Sequence, residues 1–130
     1  MPQPQILVAM RIPELSPRWA GIPFVIDTGA SRSVIHALDA MGKFGVPPAR
    51  LDPGSWANAL PMGGVGGGVI TREVDAEYAF RDDDGSFLQL RAPILIGDVN
   101  TQTIPSLLGI DILSRFELRL TATTVVLIPA

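Results

Sequence analysis

The sequence predicts an all-β, barrel-like domain with one or two short helices. Short apolar runs alternate with turn-forming residues, and the 13 glycines and 12 prolines are spread along the chain rather than collected in a linker. Hydrophobic residues make up 47% of the 130 residues, enough to form the core of one domain. The chain shows no repeat at a fixed period, so we expect residues 1–130 to fold as a single domain.

The N-terminal part contains three predicted strands and a helix. The strands are the apolar runs at residues 6–10, 23–26 and 33–36. The second run leads into a turn that contains Asp27, and the third run begins after that turn. A short helix is predicted at residues 37–44, because Gly45 and the prolines at positions 47 and 48 are typical of the end of a helix.

The C-terminal part contains the remaining predicted strands. Between residues 73 and 80, apolar side chains occupy every second position, the pattern of a half-buried strand. An Asp-Asp-Asp-Gly turn at residues 82–85 precedes a return strand at 88–92, and the apolar run at 93–97 is predicted to be central. A short helix at 111–115 is followed by strands at 116–120 and 125–128.

Charge and hydropathy exclude several classes of partner. The net charge is −3, the pI is near 4.9 and there is no block of Lys or Arg, so we expect no nucleic acid partner and no anionic membrane surface. No apolar run approaches the roughly 20 residues that span a bilayer. The first residues do not resemble a signal peptide. The expected location is therefore the cytoplasm, or it is left undetermined by the sequence.

No metal site or cofactor is expected. The chain has no cysteine, which rules out disulfides, thiolate metal ligands and cysteine catalysis. His36 is the only histidine, and a metal site normally needs several such ligands. The aspartates at 82–84 lack the spaced ligands and the distal glutamate of a calcium loop, so we interpret them as a solvated turn.

The most informative segment is Val-Ile-Asp-Thr-Gly-Ala at residues 25–30. It ends an apolar strand with a carboxylate, Asp27, in a place where burial is normally costly. Gly29 allows backbone amides to approach that carboxylate, and the Thr28 hydroxyl can bond to a neighbour. An Asp in a turn is most often only a turn former, but the apolar residues on both sides favour a catalytic role for Asp27.

A glycine-rich segment, Pro-Met-Gly-Gly-Val-Gly-Gly-Gly-Val-Ile, occupies residues 61–70. Neither of the common phosphate-binding patterns fits its spacing, and β-branched residues follow it where a helix would be required. One interpretation is a flexible hairpin tip without further function. The other is a tip whose glycines bring the backbone close to a bound chain and allow it to open and close. The Asp27 turn favours the second interpretation.

A third segment, Leu-Leu-Gly-Ile-Asp-Ile-Leu, occupies residues 107–113. Gly109 permits a close approach after an apolar strand, and the charge of Asp111 suits the start of a short helix. We interpret Asp111 as structural. It lacks the Thr-Gly that follows Asp27, so we do not expect it to be a second catalytic carboxylate.

These three segments resemble, in the same order, the motifs of retropepsins, the single-domain aspartic proteases of retroviruses and of related cellular and bacterial proteins. The first resembles their catalytic loop, and the second their flap tip, with Trp56 upstream as a Trp is there. The third resembles the segment before their single helix. The resemblance spans about residues 5–128 and implies a closed, barrel-like acid protease fold with a flap hairpin.

Two departures indicate the branch of the family. Retroviral enzymes commonly carry acidic residues after Asp-Thr-Gly-Ala, where this chain has Ser31 and Arg32. They often carry Arg after the glycine of the third motif, where this chain has Ile110. The sequence is therefore more similar to the cellular and bacterial branch than to the viral enzymes.

The resemblance implies an aspartic endopeptidase with catalytic residues Asp27, Thr28 and Gly29. One Asp-Thr-Gly per chain implies a homodimer in which two Asp27 carboxylates share a proton and activate a water, without metal or organic cofactor. Terminal strands form the dimer interface in this family, here expected at residues 6–10 and 125–128. The glycine-rich flap would close over the substrate.

The implied substrate is an extended, apolar segment of a peptide or protein. Val34 is expected to line a substrate pocket. The other implied substrate-binding residues are Ala30, Gly63, Gly64, Val65, Gly66, Gly67 and Ile94. Two alternatives are open: a catalytically inactive retropepsin-like module for peptide binding or dimerisation, and one domain of a larger enzyme whose partner lobe lies elsewhere.

Overall fold

A computed structural model describes residues 4–56, 59–62, 69–100, 105–121 and 124–129. Within these residues the N-terminal elements are β1 (Gln5–Arg11), β2 (Ala20–Ile26), β3 (Val34–Ile35), α1 (Ala37–Phe44) and two 3-10 turns (Pro48–Leu51 and Pro53–Ser55). They are followed by β4 (Ala59–Met62), β5 (Val69–Arg81), β6 (Phe87–Gly97), β7 (Leu107–Leu108), α2 (Ile110–Leu113), β8 (Phe116–Leu120) and β9 (Val125–Pro129).

The strands confirm the all-β class that the sequence predicts. Seven of them form one sheet in the order β1-β2-β7-β3-β6-β5-β4. β5 also pairs with β1, through residues 77–79 and 9–11, so six of these strands form a hydrogen-bonded ring. β8 and β9, which correspond to the two strands predicted near the C-terminus, form a separate antiparallel pair.

The core fills the interior of the ring. β5 shows the predicted alternation, since its apolar side chains at positions 74, 76, 78 and 80 are buried while Glu73 and Asp75 are exposed. Phe24, Ile94 and Ile112 come from three other elements and join the same core cluster. Burying one such side chain contributes about 1.5–3 kcal/mol, so this shared interior is the main stabilising feature of the ring.

The helix at residues 37–44 confirms the prediction from its flanking residues. Gly45 follows it with a φ of 69°, a left-handed conformation that glycine adopts without steric cost, and its N–H donates to the Met41 carbonyl. His36 lies outside β3, which ends at Ile35. Its Nδ1 accepts from the Leu38 N–H at 2.9 Å, so the only histidine is an N-cap and not a strand residue.

The sequence analysis predicted neither β4 nor the two 3-10 turns, and two other differences concern element length. β6 runs without a break from Phe87 to Gly97, so the two predicted runs at 88–92 and 93–97 are one strand. Pro93 is exposed in this strand, opposite Asp75 of β5. α2 begins at Ile110, one residue before the predicted start, and ends at Leu113. None of the helices in the described ranges is long and apolar enough to cross a membrane.

Candidate active site

Asp27 lies immediately after β2, at the start of a turn that leads to β3. Its backbone N–H donates to the Leu108 carbonyl at 3.0 Å, so the hydrogen bonding of β2 continues one residue beyond the end of the strand. Its side chain accepts from the Gly29 N–H, with Oδ1 at 2.9 Å, and its carbonyl accepts from the Ala30 N–H at 3.2 Å. These bonds confine the Asp27 carboxylate within its own turn.

The surface of this turn is accessible in the single chain. Asp27 and Ala30 are half-buried, while Thr28 and Gly29 are exposed. Thr28 and Gly29 therefore lie on the surface of the single chain, whereas the last three residues of β2, Phe24 to Ile26, are buried. This arrangement presents one carboxylate on a rigid support.

β7 fixes the turn by lying between the two strands that flank it. Leu107 pairs with Val25 of β2 in parallel and with Val34 of β3 in antiparallel orientation. The next residue but one, Gly109, passes directly beneath the turn. A Cβ atom there would lie 2.7 Å from the Ala30 carbonyl oxygen and 2.8 Å from the Arg32 backbone, so only glycine fits.

A second carboxylate anchors the far end of the turn. Asp111 accepts from the Ser33 N–H at Oδ2 (3.0 Å) and from the Ser33 hydroxyl at Oδ1 (2.7 Å). The Ser33 oxygen in turn accepts from the Gly109 N–H at 2.9 Å. The sequence analysis interpreted Asp111 as the start of a helix and did not identify Ser33. The two residues are 78 positions apart in the sequence, so no local signal predicts the pairing.

Arg32 connects the turn to β5. One of its terminal nitrogens lies 2.8 Å from a Glu73 carboxylate oxygen, and its Nε lies 3.7 Å from Oδ2 of Asp111. The cation that replaces the acidic residue of the viral motif is thus balanced by two carboxylates. This ion pair is partly exposed, so we assign it a modest stabilising contribution.

Two of the predicted pocket residues are core residues. Ile94 is 0% exposed and Val34 is 2% exposed, so neither side chain lies on the surface of the single chain, and a substrate contact by either stays a prediction. The reason for Ile94 is the alternation of β6, which points this side chain into the ring together with Ile96. Ile70, the last residue of the glycine-rich segment and the second residue of β5, is 39% exposed and was not among the predicted substrate-binding residues.

The predicted flap residues Gly63, Gly64, Val65, Gly66 and Gly67 lie outside the described residues. The strands on either side are described: Met62 at the end of β4 pairs with Val69 at the start of β5. β4 and β5 are therefore antiparallel neighbours, and the predicted flap residues lie between them in the sequence.

Residues that could hold a metal ion are scattered. No group of three His, Asp or Glu side chains with metal-binding geometry occurs among the residues that the structure describes. Glu73 and Asp111, the carboxylates nearest the turn apart from Asp27, are both paired with Arg32.

Comparison with solved structures identifies proteins of similar fold. No family model and no curated protein matches the sequence. Among solved structures, the chain is similar to the EIAV protease complexed with the inhibitor HBY-793, with 22% identity over 87% of this chain and 86% of that chain and a TM-score of 0.51. It is also similar to a retropepsin-like aspartic protease from Rickettsia conorii, with 18% identity over 95% of this chain and 81% of that chain and a TM-score of 0.54.

These likenesses confirm the fold that the three motifs predict. Both solved structures are aligned over more than four fifths of each chain, so the match covers the ring of strands and not an isolated hairpin. The protein therefore has a retropepsin-like fold.

Proposed function

We propose that this protein is an aspartic endopeptidase that acts as a homodimer on extended, apolar peptide segments. The observation that supports this most directly is the position of Asp27. Its carboxylate lies at the accessible end of β2, bonded to the Gly29 N–H, on a fold shared with two aspartic proteases. Thr28 and Gly29 complete the catalytic turn in this proposal.

The second carboxylate comes from a second copy of the chain. The segment Asp-Thr-Gly occurs once in the sequence, and Asp111, the other carboxylate at the turn, is occupied by Ser33 and Ile112. A two-fold axis beside Thr28 would place two Asp27 side chains together. The exposure of Thr28 and Gly29 in the single chain is consistent with such a contact.

The β8–β9 hairpin is the proposed dimer surface. Leu120 is 50% exposed and Val126 is 44% exposed, and this hairpin pairs with no other strand among the described residues. The sequence analysis also expected residues 6–10 at the interface. β1 is instead a strand of the ring, with Val8 and Met10 fully buried in the chain's own core, so we restrict the proposal to the hairpin.

The proposed reaction is hydrolysis of a peptide bond by water. Two carboxylates in close proximity cannot both ionise readily, so the pair holds one proton; the aspartic protease dyad is the known example. The ionised Asp27 removes a proton from water, whose oxygen attacks the carbonyl carbon while the protonated Asp27 donates to the carbonyl oxygen. The tetrahedral intermediate then breaks its C–N bond: the nitrogen takes the proton that one Asp27 removed from water, and a hydroxyl of the intermediate gives its proton to the other Asp27. An acid and an amine are released, and the pair again holds one proton.

The shared proton determines the expected pH dependence. Cleavage requires one protonated and one ionised carboxylate, so the rate passes through a maximum as the pH changes. A chelator leaves the rate unchanged in this mechanism, because no step uses a metal.

The test is cleavage of a peptide library by the purified wild-type protein and by Asp27→Asn, followed by mass spectrometry. We expect the wild type to cleave within apolar segments and Asp27→Asn to be inactive while its circular dichroism is unchanged. Asp75→Asn is the matched control, because Asp75 is an exposed carboxylate on β5 away from the turn. Cleavage by Asp27→Asn would overturn the proposal, and a wild type without cleavage would favour the inactive peptide-binding module.

A further inference from the structure

We infer that Asp111 is a positioning residue, which acts through Ser33 to hold the turn that carries Asp27. This inference rests on the proposed function for its catalytic consequence. Asp111 is far from Asp27 in the sequence and makes no hydrogen bond to it. Its effect on the Asp27 carboxylate would therefore pass through the backbone of the turn.

The Asp111 carboxylate interacts with donor groups of three residues, Ser33, Ile112 and Arg32. Oδ1 accepts from the Ser33 hydroxyl at 2.7 Å and from the Ile112 N–H at 2.9 Å. Oδ2 accepts from the Ser33 N–H at 3.0 Å and faces the Arg32 guanidinium at 3.7 Å. Hydrogen bonds to an ionised acceptor are roughly twice as strong as those between neutral groups, so this carboxylate is a strong anchor.

Ser33 transmits this anchor to the turn. Its side chain is fully buried, donates to Asp111 and accepts from the Gly109 N–H at 2.9 Å. Removing either partner would leave a buried polar group without its bond, which proteins rarely tolerate. Ser33 therefore has a defined position relative to the segment that contains Gly109 and Asp111.

Both ends of the turn are thus attached to the same short segment. The first end is held by backbone bonds, from the Asp27 N–H to Leu108 and from the Ile110 N–H to Ala30. The second end is held by side chains, through Ser33 and Asp111. Because residues 27–33 are bound at both ends to residues 108–111, the position of the Asp27 carboxylate depends on the side-chain anchor as well as on the backbone bonds.

Asp111→Asn distinguishes this role from simple space filling. The amide has the same shape but only one acceptor oxygen, and its NH₂ group can only donate. If the oxygen occupies the Oδ1 position, the NH₂ faces the Ser33 N–H; if it occupies the Oδ2 position, the NH₂ faces the Ile112 N–H. In both orientations the NH₂ group faces another donor, so the hydrogen bonding of residue 111 is weakened although the substitution creates no cavity.

The expected catalytic effect is a loss of kcat with little change in KM. Small displacements of a reacting group can cost up to about 100-fold in rate, so we expect kcat of Asp111→Asn to fall by about 10- to 100-fold. The substrate-binding surface is not altered, so KM should change by less than about twofold.

Asp39→Asn is the matched control. Asp39 is also a partly buried carboxylate that accepts from a serine hydroxyl, Ser106 Oγ at 2.6 Å, but it belongs to α1 and makes no bond to residues 27–33. Its amide keeps one acceptor for that hydroxyl. Equal kcat losses in Asp39→Asn and Asp111→Asn would overturn the inference, since they would reflect general destabilisation.

Ser33→Ala supplies a double-mutant test of the route. If Asp111 acts through Ser33, then Asp111→Asn should lower kcat much less in the Ser33→Ala background than in the wild type. Independent, multiplicative losses would overturn the proposed route.

Hydrogen exchange provides a readout that does not depend on activity. We expect the backbone amides of Gly29 and Ala30 to exchange severalfold faster in Asp111→Asn than in wild type, and at wild-type rates in Asp39→Asn. Unchanged exchange at these amides in Asp111→Asn would overturn the inference. If the wild type cleaves no peptide, the proposed function fails, and the exchange rates still decide whether Asp111 holds the turn.

Discussion

At the scale of single residues, Gly109 is the point at which two distant segments meet. Its Cα lies beneath the Asp27 turn, and a Cβ atom would come within 2.8 Å of backbone atoms of Ala30 and Arg32. These neighbours are main-chain atoms, so they cannot rotate away as a flexible side chain could. The glycine is therefore required by contact, and not by its backbone conformation.

We expect Gly109→Ala to lower the free energy of unfolding by about 1–3 kcal/mol, the usual range for overpacking, and to reduce peptide cleavage. Chemical denaturation and a cleavage assay would measure the two effects. Gly42→Ala is the control, because a Cβ there meets nothing within 4 Å and the residue lies inside α1. That change should stabilise the protein by about 0.5–1 kcal/mol; a Gly109→Ala protein as stable as wild type would show that the contact is absent.

Tyr78 is a second residue whose environment has a measurable consequence. Its side chain is fully buried against Phe80, and its hydroxyl has no hydrogen-bond partner among the described residues. Burial, assisted by the negative charge of Asp111, raises the pKa of Tyr78 well above its usual range. The hydroxyl therefore destabilises the fold without a compensating bond.

We expect Tyr78→Phe to raise the free energy of unfolding at neutral pH by about 1 kcal/mol, because it removes an unpaired buried hydroxyl. An unfolded tyrosine loses its proton near pH 10, whereas folded Tyr78 keeps it. The folded state then binds more protons, so stability falls as the pH rises above about 10, and it should fall less in Tyr78→Phe.

The measurement is chemical denaturation at neutral and at alkaline pH. Tyr78 is the only tyrosine in the chain, so tyrosinate absorbance reports on this side chain alone. Its ionisation should coincide with unfolding. Ionisation of Tyr78 in a fully folded protein near pH 10 would contradict the prediction.

At the scale of elements, β5 runs from the glycine-rich segment to the point where the ring of strands closes. Its first residues pair with β4 beside the glycine-rich segment, and its later residues pair with β1 and close the ring. Between these regions, Glu73 binds Arg32 next to the Asp27 turn. One continuous strand thus connects the proposed flap, the proposed catalytic turn and the core.

The helix α1 gives a test of local structure that is independent of function. We expect His36→Ala to lower the free energy of unfolding by about 1 kcal/mol, because the Leu38 N–H loses its acceptor at the N-cap. His36→Asn should preserve most of the stability, because asparagine is a favoured N-cap residue. Denaturation curves for the three proteins decide this, and equal stability of His36→Ala and wild type would argue against the cap.

At the scale of the whole molecule, the proposed dimer depends on the β8–β9 hairpin. Leu120→Asp would place a charge on a surface that the proposal buries, so we expect a monomer by analytical ultracentrifugation and a loss of cleavage. Leu38→Asp is the control: Leu38 is 55% exposed in the first turn of α1, where an acidic residue suits the helix terminus. An active, dimeric Leu120→Asp protein would rule out this interface.

Much of the element structure follows from the sequence because its causes are local. The buried positions of β5 follow from alternation along the strand, and the end of α1 follows from Gly45 in a left-handed conformation. The Asp27 turn was predicted for the same kind of reason, since small residues after an apolar strand favour a turn. Each of these features is set by neighbours within a few positions.

The Asp-Thr-Gly segment and the apolar pattern therefore determined, on their own, an all-β domain with a candidate catalytic turn. Only the tertiary structure decided that β7 lies between the strands flanking this turn, that Asp111 bonds to Ser33, and that Ile94 belongs to the core. These features depend on contacts between residues far apart in the chain. Such contacts follow from the topology of the ring, which no local preference of the backbone or side-chain periodicity encodes.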